Sequence, residues 1–385
     1  MAGHGGRAGV SAAIRRSVAE ARRIVVKVGS SSITDREGRI DVPQLNALVD
    51  AIAAARASGQ DVVVVSSGAV AAGLDPLGMR RRPRDLATRQ AAASVGQGLL
   101  LAKYTSLFAA HGLTVGQVLL TVEDVTRQGS YANALRTFTR LLELGAVPIV
   151  NENDTVATNE LRFGDNDKLA ALVAHLVGAD ALFLLSDVDA LYTDHPARPG
   201  ARKITDVAEV DDLAVDTSRI GSGVGTGGMT TKLEAAKIAT HAGVTTVLAS
   251  ATEVAAALAG EPVGTLFRAS GRRRSRKMLW LAYASKAAGV LTLDAGAVRA
   301  VVERKASLLP AGVSGFSGSF HAGDPVRLDG PDGELVGHGL VNYDAADLPS
   351  MLGRTTRALA DELGEGFDRE LVHRDAMILR KKFRA

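Results

Sequence analysis

The stretch Ile24-Val25-Val26-Lys27-Val28-Gly29-Ser30-Ser31-Ser32 decides the fold. Its β-branched run reads as a buried strand, and the small residues after Val28 end it in a turn. A helix is predicted next over 43–57, with Pro43 at its first turn and Gly59 as its stop. The unit then recurs. Extended runs at 62–65, 114–120, 147–150, 181–185 and 244–249 alternate with helical patterns at 85–111, 131–144, 168–177 and 229–241. This alternation predicts an α/β fold, a mainly parallel sheet sandwiched by helices. Ligands of such sheets bind beyond the carboxyl ends of the strands, so the residues that follow each strand carry the functional information.

Past residue 286 the character changes to short, turn-rich strands with one early helix over 295–305. A chain of 385 residues exceeds one ordinary core. The expected division is a flexible N-terminal extension (1–22), an α/β domain (23–268), a basic linker (269–286), a small mostly-β domain (287–366) and a C-terminal tail (367–385). Aromatic residues make up only 4% of the chain, which favours aliphatic helix–sheet layers over an aromatic-rich sandwich. The net charge is +3, with basic runs at Arg272-Arg273-Arg274-Ser275-Arg276-Lys277 and Arg380-Lys381-Lys382-Phe383-Arg384. A solvated linker and tail account for these runs at least as well as nucleic acid does. There is no cysteine, which excludes disulfides, thiolate catalysis and Cys-ligated metals. No apolar run is long enough to span a bilayer and the leading segment has no hydrophobic signal core, so a cytoplasmic protein without membrane attachment is expected.

Four segments draw attention as sites. Lys27 interrupts an apolar strand, where burial without an anion is costly; an edge strand with Lys27 in water is the alternative. Gly29 and Ser30 let backbone N–H groups approach a phosphate. Val65-Ser66-Ser67-Gly68-Ala69 runs from a strand into a helix start, where hydroxyls and N–H groups suit a carboxylate or simply cap a helix. Asn151-Glu152-Asn153-Asp154 and Gly164-Asp165-Asn166-Asp167-Lys168 cluster acids and amides that suit an ammonium group, lysines or Mg²⁺ through phosphate, or form Asx turns. Finally, Gly225-Thr226-Gly227-Gly228-Met229-Thr230-Thr231-Lys232 is a glycine-rich loop running into a helix. It reads as a phosphate cradle or a mobile surface loop, and its residue order is not that of a Walker A motif.

Taken in order along the chain, these motifs resemble the amino acid kinase family, in particular its branch acting on the side-chain carboxylate of L-glutamate. Gly315-Phe316-Ser317-Gly318-Ser319-Phe320 and His321-Ala322-Gly323-Asp324 make the small domain similar to a PUA module. The resemblance covers nearly everything after Arg22. It implies transfer of the γ-phosphoryl group of ATP, with Mg²⁺, to glutamate, giving L-glutamyl 5-phosphate and opening proline biosynthesis. It also implies roles for individual residues. Lys27, Lys232 and Asp167 would be catalytic, and Ser67, Asp154 and Asn166 would bind substrate. Lys27, Gly29, Ser30, Ser186, Asp187, Thr226, Gly227, Gly228, Met229, Thr230, Thr231 and Lys232 would bind ATP. Mg²⁺ would be held mainly by the ATP phosphates. Proline feedback inhibition, a glutamyl phosphate reductase partner and a homo-oligomer are further family-level expectations. Ser66, Ser186, Arg162 and Thr230 depart from the usual Thr, Thr, Lys and Ser, and Arg162 alters hydrogen-bond geometry most.

The competing readings are a kinase of the same family acting on acetylglutamate, aspartate, carbamate or UMP, and an RNA-binding protein using the PUA module. RNA is disfavoured because single-strand recognition needs stacking aromatics, and Trp280, Tyr283, Phe316, Phe320 and Tyr343 read first as core.

Overall fold

A computed structural model describes residues 4–35, 39–126, 128–156, 166–213, 228–270, 287–364, 367 and 369–380. Two compact units are present, Met1–Arg274 and Ser275–Ala385. The first begins with helix α1 (His4–Ala19), strand β1 (Arg23–Val28) and helix α2 (Val42–Ala57). Next come β2 (Asp61–Ser66), α3 (Ala69–Ala72), α4 (Leu86–Ala109) and β3 (Val115–Leu120). They are followed by α5 (Val122–Thr126), α6 (Gln128–Glu143), β4 (Val147–Glu152), α7 (Asn166–Val177) and β5 (Ala181–Ser186). Two-residue strands β6 (Leu191–Tyr192), β7 (Lys203–Ile204) and β8 (Asp206–Val207) precede α8 (Met229–His241), β9 (Thr245–Ser250), α9 (Val254–Leu258) and β10 (Thr265–Phe267).

Eight strands form one sheet in the order β3-β4-β2-β1-β5-β9-β10-β8, all neighbours parallel except β9 and β10. β1 therefore lies centrally, between β2 and β5, and Lys27 is only 5% exposed rather than on an edge. Strand alternation explains where its side chain goes. Ile24, Val26 and Val28 join a core with Leu45, Leu48 and Ile52 of α2 and Leu100, Tyr104 and Phe108 of α4. The alternate residues Val25, Lys27, Val63, Val65, Leu182 and Leu184 are also buried, on the side where α7 packs on β1 and β5. Burial on both faces is why these strands read as near-continuous apolar runs.

Two segments differ from expectation. Within 1–22, expected as a flexible extension, α1 is a helix docked on the first unit. The Arg15 guanidinium donates to the carbonyls of Glu261 (3.1 Å), Val263 (2.8 Å) and Thr205 (3.3 Å), and Gln60 Nε2 donates to those of Ala19 and Ala21. These partners are more than 180 residues away or on another element, so no local pattern announces them. Within 367–385, expected as a tail, Val372–Leu379 is strand β15.

The second unit holds β11 (Gly289–Leu293), β12 (Val313–Gly318), β13 (Pro325–Asp329), β14 (Leu335–Val341) and β15 in the order β12-β11-β13-β14-β15. β15 pairs antiparallel with β14 and buries Val372 and Met377 in this unit's own core. Phe320 and Tyr343 are also buried there, and Tyr343 stacks on Phe367. Those two rings are therefore packing residues, while Trp280 and Tyr283 lie outside the described residues. Among the described residues no helix is long and apolar enough to cross a membrane.

Candidate active site

β1, β2, β4 and β5 run parallel, so their carboxyl ends meet along one edge of the sheet. The amino-terminal turns of α7 and α8 come to the same place. At the first of them, Asp167 is 1% exposed and receives two cations. Lys27 Nζ of β1 lies 2.5 Å from its Oδ1, and Lys232 Nζ of α8 lies 3.4 Å from its Oδ2. Thr231 donates to the same Oδ2 at 2.8 Å. Burial by itself raises the Asp167 carboxyl. The charges of Lys27 and Lys232, with hydrogen bonds from Lys27 and Thr231, outweigh it and leave the group at about 2. Lys232 is pulled below its ordinary value, first by burial and also by Lys27, with Asp167 opposing. One carboxylate thus holds two ammonium groups side by side with an excess of positive charge, an arrangement suited to a polyanion.

The backbone around this cluster is open. A Cβ at Gly29 would stand 3.7 Å from Lys27 Nζ, so the glycine leaves that side of the ammonium clear. Ser30 begins a 3-10 turn, Ser30–Ser32. Gly228 is the extended N-cap of α8, and Met229 is buried while Thr230 is exposed. Ser186 donates to Asp187 Oδ1 at 2.9 Å at the end of β5, and the Asp187 charge is felt by Lys232. Thr226 and Gly227, like Arg162 and Asp165, lie outside the described residues.

A second cluster is built from neutral groups. Asn166 Nδ2 spreads its two protons over three acceptors, Ser67 Oγ (2.9 Å), Asn151 Oδ1 (3.0 Å) and the Ser66 carbonyl (3.2 Å), so one proton is shared. Asn151 in turn donates to Gln97 Oε1 at 2.7 Å, and Ser66 shares a 2.9 Å hydrogen bond with Tyr104. α4 carries Gln97 and Tyr104 and is pressed against α3, with no room for a side chain at the contact. A Cβ on Gly96 would fall 1.8 Å from the Ala69 carbonyl oxygen, and one on Gly73 1.9 Å from that of Ala92. Gly68, at φ 101°, makes the left-handed turn from β2 into α3 that leaves Ser67 at the strand end.

Asp154 lies two residues past β4 and three past Asn151. Burial and then the charge of Glu152 push its carboxyl up to about 7, against the pull of Arg82 and Arg89. The sequence motifs indicated Ser67, Asp154 and Asn166 but not Gln97, Tyr104, Arg82 or Arg89. A detectable signal existed for two of these. Gln97 and Tyr104 recur seven apart on a helix whose buried residues include Ala93, Leu100 and Phe108, so they are polar positions on an apolar stripe.

With this geometry, comparison with known proteins is informative. The amino acid kinase family model matches residues 22–250, and a PUA domain model matches residues 289–363. The chain belongs to the amino acid kinase family. Its relatives include the glutamate 5-kinase of Streptomyces coelicolor, 58% identical over 370 residues that cover 96% of this chain and 99% of that protein. The glutamate 5-kinase of Thermobifida fusca is 59% identical over 368 residues, 95% of each chain. Among solved structures, carbamate kinase from Giardia lamblia bound to AMP-PNP is similar over 66% of this chain and 100% of that one, with 17% identity and a TM-score of 0.48.

Proposed function

We propose that the protein is a glutamate 5-kinase, transferring the γ-phosphoryl group of ATP to the side-chain carboxylate of L-glutamate in the first step of proline biosynthesis. The observation that carries this reading is the convergence of Lys27 and Lys232 on buried Asp167, in a chain nearly 60% identical to glutamate 5-kinases over almost its full length.

The chemistry matches the residues. A glutamate side chain has an ordinary pKa of about 4.3 and is already a nucleophile at neutral pH, so no general base is required. The difficulty is bringing one anion against another and stabilising charge as it spreads over the transferring group. Lys27 and Lys232 supply that stabilisation, and Asp167 sets the distance between them. Ser30 offers a backbone donor to phosphate, while the Gly29 N–H is turned to the Leu185 carbonyl at 3.3 Å and Gly29 contributes room instead. Ser186, Asp187 and the loop and helix start around Thr226, Gly227, Gly228, Met229, Thr230, Thr231 and Lys232 receive the nucleotide. Ser67, Asn166 and Asp154 receive glutamate, Asp154 as acceptor for its ammonium.

Mg²⁺ fits as part of the nucleotide complex. Both Asp167 oxygens already face cations or the Thr231 hydroxyl, which leaves the ATP phosphates as its main ligands. When bound, it screens the phosphate charge. Family membership also supports a cytoplasmic homo-oligomer, inhibition by proline and onward passage of the acyl phosphate to glutamyl phosphate reductase.

The test is ADP release from Mg-ATP with glutamate, aspartate, acetylglutamate and UMP in parallel, with hydroxylamine present to trap acyl phosphate. Hydroxamate with glutamate alone is the expected result. Turnover of another acceptor in its place would overturn the substrate.

A further inference from the structure

The amide cluster contains information about direction as well as contact. A carbonyl oxygen only accepts and a backbone N–H only donates. The Ser66 carbonyl therefore requires the NH₂ end of Asn166, and the Glu152 N–H, 2.9 Å from Asn151 Oδ1, requires the oxygen end of Asn151. With both amides fixed in this way, Asn166 Nδ2 donates to Asn151 Oδ1, and Asn151 Nδ2 is left to donate to Gln97 Oε1. Every link agrees with its neighbours.

The consequence falls on Ser67. Its Oγ accepts from Asn166, so its own proton points elsewhere and is available to donate. Among the described residues, the same orientation leaves Asn166 Oδ1 buried without a hydrogen-bond partner, an unmet acceptor on the amide that addresses Ser67. A donor and an acceptor at adjacent positions match the carboxylate and ammonium groups of an amino acid.

We propose that Gln97 and Asn151 are positioning residues that lock the Asn166 amide, so that Ser67 is held as a hydrogen-bond donor to a carboxylate oxygen of the substrate. The proposal rests on the glutamate reading above. Gln97 needs no contact with substrate. Its oxygen holds the far end of the relay from α4, the helix whose Gly96 packs on α3 directly after Ser67 and Gly68.

The test compares Gln97→Met, which keeps the volume but removes the acceptor, with Gln97→Glu, which keeps an acceptor for Asn151. Asn151→Asp is a third variant, still able to accept from Glu152 and Asn166 while Gln97 turns its NH₂ towards it. Measured values are kcat, KM for glutamate, KM for ATP and the thermal midpoint. Gln97→Met is expected to raise KM for glutamate by about 5- to 30-fold, with kcat and KM for ATP changed less than about threefold. Gln97→Glu and Asn151→Asp should return KM for glutamate to within about threefold of wild type. An unchanged KM for glutamate in Gln97→Met overturns the proposal, as does a common fall in all parameters with the thermal midpoint that Gln97→Glu fails to rescue. Wild-type enzyme inactive on glutamate would instead overturn the substrate assignment, and this proposal with it.

Discussion

Asn166 and Asp167 are neighbours in the first turn of α7, yet they build opposite kinds of site. Asp167 is an ion among ions, held by Lys27, Lys232 and Thr231. Asn166 is a neutral group among neutral groups, and its environment encodes hydrogen-bond direction rather than charge. The difference follows from the two tasks. A transferring phosphoryl group requires charge compensation by cations held in place before the reaction. Recognition of one amino acid among several requires groups that are penalised when left unpaired, which is where buried amides discriminate. One helix start thus joins the two halves of the proposed reaction.

The largest expected effect lies on the ionic side. Lys27→Met and Lys232→Met should each lower kcat by about 10²- to 10³-fold at saturating substrates, as for loss of one preorganised donor. Normal turnover in either would break the division. The next effect separates the halves by pH. With Asp154 at about 7, kcat/KM for glutamate should fall about tenfold per pH unit below that point, because the protonated carboxyl loses the negative charge that pairs with an ammonium. Glu152→Gln removes a charge that raises Asp154, so the break should move to lower pH. Asp167 behaves otherwise. Its folded-state value is depressed from 3.8 to about 2, so its stabilising contribution is complete above pH 4 and is lost only as pH falls through 2. Asp167 should therefore not contribute to a break near 7.

Gly96→Ala sharpens the comparison from the scaffold side. Its Cβ would meet the Ala69 carbonyl at 1.8 Å and force α4 from α3, at a cost of about 1–3 kcal/mol in unfolding free energy. KM for glutamate should rise while KM for ATP holds. Smallest is Arg15→Ala, which frees α1 from three carbonyls far from Asp167. It should lower stability by about 1–2 kcal/mol in denaturant unfolding and leave both KM values unchanged.

The same contrast explains what could be read from the chain. Strands β1, β2, β4, β5 and β9 were legible because double-sided burial writes them as apolar runs. Lys27 stood out because an ion in such a run demands a partner. The polar clusters after β2 and β4 were visible as clusters, but not their wiring. Gln97 lies mid-helix, 54 residues from Asn151, and its place on an apolar stripe marks an inward position without naming its partner. α1 and β15 were missed for a related reason. One is anchored by Arg15 on distant carbonyls and by Gln60 on its last carbonyl, and the other, Val372-His373-Arg374-Asp375-Ala376-Met377-Ile378-Leu379, hides its pairing among charges. Local pattern reveals burial, whereas long-range hydrogen bonds leave little trace in it.

The most direct test of this division is to measure kcat and both KM values for Asn166→Ala and Asp167→Asn in the same assay. Asn166→Ala should raise KM for glutamate and leave KM for ATP near wild type, while Asp167→Asn should collapse kcat at saturating substrates. If both variants lost kcat and both KM values to the same extent, or if Asp167→Asn kept normal turnover, the proposed separation of charge from recognition would be contradicted.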